Sequence, residues 1–406
     1  FTSHEKYPHA GDWNGIIFSY NSFALTVDQR GNFLSGSTIQ YSIIEYGGKV
    51  EVKEGAYISN NIFRYNDSSS EALVEFSGRY NIFINNNLYD NQESGSCLAL
   101  NGWGNYKFNN NTIKNNLCRG AIMINHGSGE INGNNISGNY GGITAASATG
   151  SIINNVITDN KIYNSLELYS KHNPEKRYSY PNAAIALLYS DYSTVRNNQI
   201  LRNGGKAISL LSNCSTKTVI AKNDIYHNSS GFYFDELLLD NKHKNDCSSL
   251  WIKYNNIGGN IEYDFYNKSS KNIDVSYNYW DGEASALSIY GPPDKSIIGL
   301  VNDSPALVAP VGVDTTVLSG LLLENFLTQD NNYIVVLWLK LLPGKEYNIQ
   351  PGTKIKVMKD TEISSEMSDA LNYYIWPFDS EVKSLEGLYF MIEGAGNTTY
   401  QYSING

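Results

Sequence analysis

Asn86-Asn87-Leu88-Tyr89-Asp90-Asn91 is followed 25 residues later by Asn111-Thr112-Ile113-Lys114-Asn115-Asn116, and both stretches fit the pattern Asn-x-(Ile/Leu)-x-x-Asn. The pattern recurs from a degenerate copy at 42–47 to a half-copy at 278–280. Most copies are spaced by 19 to 25 residues, a length typical of one coil of a solenoid. The apolar residue of each copy builds a column along the sequence: Ile44, Phe63, Leu88, Ile113, Ile136, Ile157, Ile200, Ile225, Ile257 and Trp280.

The residues of each coil predict short strands rather than helices. The segments are β-branched, rich in Asn and punctuated by Gly, and the column holds too little Leu for leucine-rich repeats. A second apolar segment follows each motif, as at 121–124, and a third precedes it, as at 80–84. Three strands per coil predict an all-β fold, a right-handed parallel β-helix solenoid of about eleven coils.

The repeated Asn has a physical explanation in such a fold. Coils of a parallel β-helix stack about 4.8 Å apart, so that equivalent residues lie above one another. Asn side chains can then pass hydrogen bonds from coil to coil, and Asn tolerates the left-handed backbone of sharp turns. The first Asn of each copy is therefore predicted to form an asparagine ladder: Asn61, Asn86, Asn111, Asn134, Asn155, Asn198, Asn223, Asn255 and Asn278.

Two coils are longer than the rest and predict insertions near 162–181 and 236–249. Loops that leave a rigid scaffold often carry binding residues, although a tolerated surface insertion is the simpler interpretation. The first insertion is rich in tyrosine, and aromatic rings can stack on sugars. Its candidate sugar-stacking residues are Tyr163, Tyr169, Tyr178 and Tyr180.

Composition bounds the function and the location. The chain has 406 residues and a net charge of −10, which disfavours a nucleic-acid partner because a phosphate backbone needs a positive surface. It contains no run of 18 apolar residues, so no membrane span is expected. It holds 51 Asn but only 17% charged residues, and it starts at Phe1 rather than Met. We expect a mature or excised product that works outside the cell or on its surface.

Sequons and cysteines extend this expectation. Eight N-x-[ST] sequons are glycosylation candidates: Asn66, Asn110, Asn135, Asn213, Asn228, Asn267, Asn302 and Asn397. Cys214 and Cys247 fall at near-equivalent turns of adjacent coils, so we predict a disulfide between them. Cys97 and Cys118 are also in adjacent coils but are offset by about four positions, and we expect them to be unpaired.

Three stretches carry a resemblance to a known family. They are the first coil, with Phe1-Thr2-Ser3 and Gly11-Asp12-Trp13-Asn14-Gly15-Ile16, the motif coils, and the exit at Asn278-Tyr279-Trp280-Asp281-Gly282. They resemble the right-handed parallel β-helix repeat proteins of archaeal and bacterial cell surfaces, the class of pectate-lyase-like and NosD-like solenoids. The resemblance implies the fold over residues 1 to about 310. It leaves the function open, because this fold hosts enzymes, adhesins and structural shells.

The remainder of the chain resembles a cap of that family in an unexpected place. Residues 318–320, 331–336 and 342–357 look like the cap that precedes the first coil in relatives, and 385–394 look like the strand that runs into that coil. The predicted organisation is a β-helix over 1–281, an exit segment or linker over 282–312, and a β-rich, cap-like segment over 313–406. The C-terminal segment thus resembles the cap that the first coil lacks.

This order suggests self-assembly, because a solenoid's first coil exposes unpaired strand edges and needs a cap. The C-terminal segment of one copy could cap the first coil of the next, and such a heterologous contact does not close and builds filaments. Two alternatives remain: a fragment excised from a longer tandem protein, and a C-terminal segment that is simply a second small domain.

An enzymatic function is the main competing hypothesis. Polysaccharide lyases, hydrolases and epimerases need paired carboxylates, or bound Ca²⁺ beside a basic residue. The motif columns hold Asn instead of Asp, and no common catalytic motif is present. The densest acidic group could hold a structural Ca²⁺, but a solvated surface is the simpler reading and no cofactor is expected: Glu262, Asp264, Asp274, Asp281 and Glu283.

The sequence therefore favours a non-enzymatic extracellular structural protein. Its expected partners are copies of itself, joined head-to-tail into a filament, sheath or surface layer, and in addition surface glycans. The alternative is a polysaccharide-active enzyme or a carbohydrate-binding adhesin on the same scaffold.

Overall fold

A computed structural model provides the structure of the chain and is entirely β. It describes residues 1–20, 22–28, 31–68, 72–93, 95–161, 182–190, 192–211, 218–235, 250–269, 271–281, 289–290, 301–312, 321–340, 354–358, 362–367, 375–386, 388–393 and 399–403. Both predicted insertions, with Tyr163, Tyr169, Tyr178 and Tyr180, lie outside these residues, as do Cys214, Cys247, Asn213, Asn397 and Glu283.

Three long parallel sheets form the body of the molecule, and the chain visits them in the same order in every coil. The first sheet has eleven strands: β1 (Trp13–Phe18), β6 (Gly47–Val52), β10 (Ala72–Phe76), β14 (Ser96–Asn101), β17 (Gly120–Asn125), β20 (Ile143–Ala146), β23 (Ala183–Leu188), β26 (Lys206–Leu211), β29 (Ser230–Asp235), β32 (Phe265–Asn267) and β35 (Ile289–Tyr290).

The other two sheets complete the triangular coil. The second has nine strands: β4 (Thr38–Gln40), β7 (Tyr57–Ser59), β11 (Tyr80–Ile84), β15 (Asn105–Asn109), β18 (Ser128–Asn132), β21 (Thr149–Ile153), β24 (Ser193–Arg196), β27 (Val219–Ala221) and β30 (Trp251–Lys253). The third has ten: β5 (Ile43–Glu45), β8 (Ile62–Arg64), β12 (Asn87–Tyr89), β16 (Thr112–Lys114), β19 (Asn135–Ser137), β22 (Val156–Thr158), β25 (Gln199–Leu201), β28 (Asp224–Tyr226), β31 (Asn256–Gly258) and β34 (Tyr279–Asp281). The predicted right-handed parallel β-helix is confirmed.

The register of the third sheet places the predicted apolar column in a single row. Ile44 pairs with Phe63, Phe63 with Leu88, and the pairing continues step by step to Ile257 and Trp280. Each of these residues is buried in the continuous core between the three sheets. Because equivalent apolar residues of successive coils stack on one another, the sequence repeat produces one apolar core.

The corner between the second and third sheets explains why the first Asn of the motif often follows another Asn directly. The first residue of the corner adopts a left-handed conformation, with φ of 57° at Asn60 and 56° at Asn110. Asn accepts this conformation more readily than most residues. The next residue, such as Asn61 or Asn111, turns its side chain into the interior.

The prediction for Cys97 and Cys118 is wrong, because these residues form a disulfide with their Cα atoms 5.6 Å apart. Cys97 lies in β14, whereas Cys118 lies in the turn that leads from the third sheet back into the first. The turn carries the chain across the coil, so an offset counted along the sequence does not equal a distance in space. Both residues are buried in the core.

Short strand pairs lie outside the three long sheets. An antiparallel hairpin, β2 (Thr26–Val27) and β3 (Phe33–Ser35), lies near the second sheet, where Phe33 stacks on Tyr57. At the other end β33 (Ile273–Asp274) pairs with β36 (Val301–Asn302). Val301 and Ala306, from the segment after the last coil, pack against the core.

Two antiparallel sheets contain the C-terminal strands. The three-stranded sheet consists of β37 (Leu321–Leu327), β38 (Tyr333–Lys340) and β41 (Ile375–Val382), with β38 in the centre. The four-stranded sheet has the order β40 (Glu362–Met367), β39 (Lys354–Met358), β42 (Tyr389–Glu393) and β43 (Thr399–Ser403). The described ends of the stretches 342–357 and 385–394 thus meet as the neighbouring strands β39 and β42, whereas the cap-like residues 333–336 lie in β38.

Candidate functional site

The first coil is an open end of the solenoid among the described residues. Strands β1, β4 and β5 are edge strands of the three long sheets. Ile16 of β1 pairs with Val50 of the next coil, and Phe18 pairs with Val52. Val50 and Val52 are fully buried, whereas Ile16 and Phe18 are only half-buried. The apolar core therefore reaches the surface at this end, together with the edge strand β1.

Exposed apolar side chains are concentrated in the N-terminal part of the chain, which includes this open end. Of the fifteen large hydrophobic residues that are exposed in the described part of the chain, eight fall within the first 43 residues. Ile17 and Ile43 lie on the edge strands β1 and β5, and Tyr41 lies at the corner before β5. A concentration of exposed apolar side chains is typical of an interaction surface. We call the following set the N-terminal rim: Phe1, Tyr7, Ile17, Tyr20, Phe23, Leu34, Tyr41 and Ile43.

A polar clamp fixes the first residues of the chain beside β5. The amino group of Phe1 donates to the Ile43 carbonyl at 2.9 Å, and the Glu45 N–H donates to the Phe1 carbonyl at 3.0 Å. The Glu45 carboxylate accepts hydrogen bonds from Thr2 at 2.9 Å and from the Arg64 Nε at 2.7 Å. Burial alone would raise the pKa of Glu45, but the bonds from Arg64 and Thr2 outweigh it and lower that pKa below its usual range.

The opposite part of the molecule carries the three-stranded sheet, which packs on the outer face of the second sheet. Trp338 of β38 is fully buried there, and the Arg196 guanidinium of β24 lies 4.3 Å from the centre of its ring. The Trp338 indole N–H donates to Glu324 of β37, which also forms an ion pair with the buried Lys222. An aromatic anchor and a buried ion pair thus join this sheet to its own β-helix.

Two tyrosines of the last coils extend the same interface. The Tyr254 hydroxyl donates to Asp379 of β41 at 2.7 Å, and the Tyr277 hydroxyl donates to Glu381 at 2.9 Å. The Tyr254 ring also stacks on Phe326, with centroids 4.8 Å apart. Burial and the nearby Asp379 carboxylate raise the pKa of Tyr254 far above its usual value, so its hydroxyl remains a donor at neutral pH.

The predicted asparagine ladder is present. The Asn111 carboxamide oxygen accepts the Asn86 backbone N–H at 2.9 Å, and Asn111 Nδ2 donates to the Asn134 oxygen at 3.0 Å. Equivalent bonds connect the predicted members from Asn61 to Asn278. Every ladder member is buried, so each side chain satisfies backbone groups that water cannot reach.

A second ladder runs parallel to the first, and the sequence reasoning did not assign it. It uses the last Asn of each motif copy, and Asn91 Nδ2, for example, donates to the Asn116 oxygen at 2.9 Å. The signal was present, because both Asn positions of the motif repeat with the same period as the apolar column. The members of this second ladder are Asn66, Asn91, Asn116, Asn139, Asn160, Asn203, Asn228 and Asn260.

Three of the predicted glycosylation positions are corrected by this result. Asn66 and Asn228 are buried members of the second ladder, and Asn267 is buried with its amide donating to the Lys271 carbonyl. A glycan on these nitrogens would break the bonds and clash with the core, so the folded chain offers no room for one. Asn110, Asn135 and Asn302 are exposed and remain candidates.

The described members of the acidic group near the last coils, Glu262, Asp264, Asp274 and Asp281, do not form a metal-binding cluster. Asp264 is buried and accepts from Asn260 at 2.7 Å, while Asp274 accepts from Ser276 and Asn302. Among the described residues, no three His, Cys, Asp or Glu side chains lie close enough to hold a metal ion. Asp264 and Asp274 therefore accept hydrogen bonds from neighbouring amides, and a Ca²⁺ site stays an untested prediction.

A lysine and a set of tyrosines form a second polar cluster, on the outer face of the first sheet. Lys206 Nζ lies 3.7 Å from the centre of the Tyr233 ring, and the Tyr233 hydroxyl donates to Asp235 at 2.9 Å. Tyr266 follows Tyr233 in register. Burial lowers the pKa of Lys206, because a charged ammonium is poorly solvated there. The sequence repeat does not reveal this cluster, because its residues come together only when the coils stack.

Comparison with known proteins agrees with the geometry. The family profile described as right handed beta helix region matches residues 96–245. No curated protein matches the sequence. Among the described residues, no helix has the length and apolar character needed to cross a membrane. The match concerns the scaffold, and function has to be argued from the surfaces that the scaffold presents.

Proposed function

We propose that the protein is a non-enzymatic extracellular structural protein that assembles head-to-tail. In this proposal the C-terminal segment of one copy covers the N-terminal rim and the first coil of the next copy. The observation that carries the proposal is the half-exposed core at Ile16 and Phe18, surrounded by the exposed apolar rim. A contact between two different surfaces does not close on itself and produces a filament.

The geometry favours one part of the C-terminal segment for this contact. The three-stranded sheet is already packed on its own β-helix through Trp338 and Glu324. The four-stranded sheet has two edge strands, β40 and β43, and its strands β39 and β42 carry the described ends of the stretches 342–357 and 385–394. Strand edges pair readily with other edges, so this sheet is the element that we assign to the next copy.

An extracellular location is supported by the disulfide between Cys97 and Cys118. Disulfides persist in oxidising compartments and are rare in the cytosol of most organisms. The exposed sequons at Asn110, Asn135 and Asn302 are compatible with such a location.

The test measures assembly of the full chain by analytical ultracentrifugation and negative-stain electron microscopy. Ile17→Lys together with Ile43→Lys places charge on the edge strands β1 and β5, where both side chains are exposed and the fold should tolerate lysine. Leu117→Lys, an exposed residue of a middle coil, is the matched control.

Filaments formed by the wild type and the control, but not by the double variant, would support the proposal. Wild-type protein that stays monomeric at high concentration would overturn it. Point variants are preferable to removal of residues 313–406, because that deletion would also uncover Trp251, Tyr254 and Ala221.

The Lys206 cluster supports a second candidate function, a polysaccharide-active enzyme. Lys206 lies over the ring of Tyr233, burial lowers its pKa, and lysine is one of the residue types that transfer protons in enzyme sites. The test is depolymerisation of a panel of polysaccharides, in which Lys206→Ala should abolish activity while Lys107→Ala should not. If the wild type cleaves none of these polysaccharides, the enzymatic hypothesis is rejected.

A further inference from the structure

Trp103 is a large apolar ring held in solvent at the corner between the first and second sheets. Its side chain is 82% exposed. The indole stacks on the His126 imidazole of the next coil, with centroids 4.5 Å apart and planes inclined by 20°. The backbone N–H of His126 donates to the Ala146 carbonyl at 2.8 Å, which positions the backbone that carries the supporting ring. One face of the indole is therefore supported by the protein, and most of the ring is open to solvent.

The backbone next to Trp103 is tightly positioned. Glycines flank it on both sides, and a Cβ atom on Gly104 would lie only 2.0 Å from the Gly78 carbonyl oxygen of the preceding coil. A larger residue at position 104 would push the corner away from its neighbour. The position of the indole is thus defined by the scaffold.

Polar side chains form a row along the same side of the solenoid. Asn125 Nδ2 donates to the Asn101 oxygen at 2.8 Å, and Asn101 Nδ2 donates to Glu75 at 2.9 Å. Asn101 precedes Trp103 by two residues, and Asn125 precedes His126 directly. Each amide has two N–H donors and an oxygen with two lone pairs, more than the bonds within the row use. Hydrogen-bonding groups therefore lie next to the exposed ring.

We propose that Trp103, supported by His126 and flanked by Asn101 and Asn125, is a binding site for a neutral saccharide. A pyranose ring has a face of C–H groups that packs on an aromatic ring and a rim of hydroxyls that pairs with amides and carboxylates. The supported indole matches the face, and the Glu75–Asn101–Asn125 row matches the rim. The site lies on middle coils, away from both ends, and is independent of the proposed filament contact.

Other ligand classes fit this surface less well. A protein partner needs several apolar anchors over a standard interface, whereas the described residues of the preceding coil offer one large exposed hydrophobic side chain near this corner, Tyr80, which pairs with Asn105. A nucleic acid would meet a chain with a net charge of −10 and the Glu75 carboxylate. A neutral ligand with both an apolar face and hydroxyls agrees with all of these features.

The test uses the full chain and begins with an array of immobilised neutral oligosaccharides, the cello-, chito-, manno- and malto-series. A hit is then titrated in solution by calorimetry. We expect Trp103→Ala to weaken binding at least tenfold, and the double variant Asn101→Ala/Asn125→Ala to weaken it several-fold. Ile261→Ala removes a side chain of equal exposure (81%) at another corner and should leave affinity unchanged.

Two results would overturn the proposal. One is no neutral oligosaccharide bound above background by the wild type. The other is affinity retained in Trp103→Ala, which would place any binding elsewhere. Thermal unfolding of each variant checks the fold, and because the indole is exposed, Trp103→Ala should melt with the wild type. Lost binding with an unchanged melting curve would support the site.

Discussion

Asn111 lies in the middle of the first ladder, and its side chain serves two neighbouring coils at once. Its oxygen accepts from the Asn86 backbone and side chain, while its nitrogen donates to the Phe83 carbonyl and to Asn134. All of these groups are buried or partly buried. A hydrogen-bonded column of this kind replaces the water that the backbone groups at a sharp corner would otherwise need.

Replacement of Asn111 by Ala should therefore be costly. It leaves the Asn86 N–H groups and the Phe83 carbonyl without this partner, and each unsatisfied buried group costs about 1–3 kcal/mol. We expect the free energy of unfolding to fall by about 2–5 kcal/mol in chemical denaturation. Asn135→Ala, at an exposed Asn in the next coil, should change it by less than about 0.5 kcal/mol. Equal effects of the two substitutions would contradict the ladder's role.

The Cys97–Cys118 disulfide makes a second residue-scale prediction. The bond closes a loop with a sequence separation of 21 and lies inside the core. Replacement of both cysteines by Ala should lower the free energy of unfolding by about 2–4 kcal/mol. In the presence of a reductant the difference between wild type and variant should shrink. A variant as stable as the oxidised wild type would show that stacking of coils alone holds these strands.

Glu45 makes a prediction about pH. Its pKa is lower in the folded chain than the ordinary value of 4.5, because Arg64 and Thr2 bind the ionised form. The stabilisation is then complete above the unfolded pKa and is lost as pH falls through the folded one. The Glu45 amide donates to Phe1. Below about pH 4.5 its protection against hydrogen exchange, relative to the intrinsic rate at the same pH, should fall below its value at neutral pH.

The matched variant for this clamp is Glu45→Gln, which keeps the shape and removes the charge. The substitution should lower the free energy of unfolding by about 0.2–1 kcal/mol at pH 7, since the pair with Arg64 is partly exposed. The difference in stability between wild type and variant should disappear at acid pH. A constant difference at all pH values would mean that the charge of Glu45 does not hold the first residues.

Residue types and spacing predicted a large part of these features. The apolar column and the first ladder could be predicted because equivalent residues of successive coils stack on one another. The period of the motif is enough to identify those residues. The pairing of Cys97 with Cys118 could not be predicted in the same way, because the path of the turn before β17 decides the distance. The burial of Asn66 shows the same limit, since a sequon does not reveal which side of a corner the side chain faces.

At the scale of elements, the three-stranded sheet depends on the ion pair between Lys222 and Glu324. Lys222 is almost fully buried, so loss of the Glu324 carboxylate would remove an opposite charge from a buried ammonium group. Glu324→Gln should lower the stability of this contact by about 3–5 kcal/mol. The expected readout is faster hydrogen exchange in β37 and β38, with little change in strands of the middle coils such as β14.

The double variant Lys222→Met/Glu324→Gln separates charge from packing. Without the buried charge the loss should be smaller than in Glu324→Gln alone. A double variant that loses as much as the two single variants combined would show that the two residues act independently. Sequence alone did not predict this contact, because Lys222 and Glu324 are brought together by the return of the chain along the last coils.

At the scale of the whole molecule, the two ends of the solenoid differ. Ala306 is buried in the core at the C-terminal end, while Ile16 and Phe18 remain half-buried at the other. Such polarity suits a head-to-tail contact better than a symmetric one, since each copy would offer one surface of each kind. The sequence predicted the open first coil, but the packing of the three-stranded sheet on its own β-helix required the structure.

The most direct test of this account is the length of filaments in mixtures of wild type and Ile17→Lys/Ile43→Lys. The variant has an impaired rim but an intact C-terminal segment, so it should bind the open end of a growing filament and stop further addition there. Electron microscopy should show the mean length falling as the fraction of variant rises, while Leu117→Lys has no effect. Lengths that do not depend on the variant, or the absence of filaments in the wild type, would contradict head-to-tail assembly.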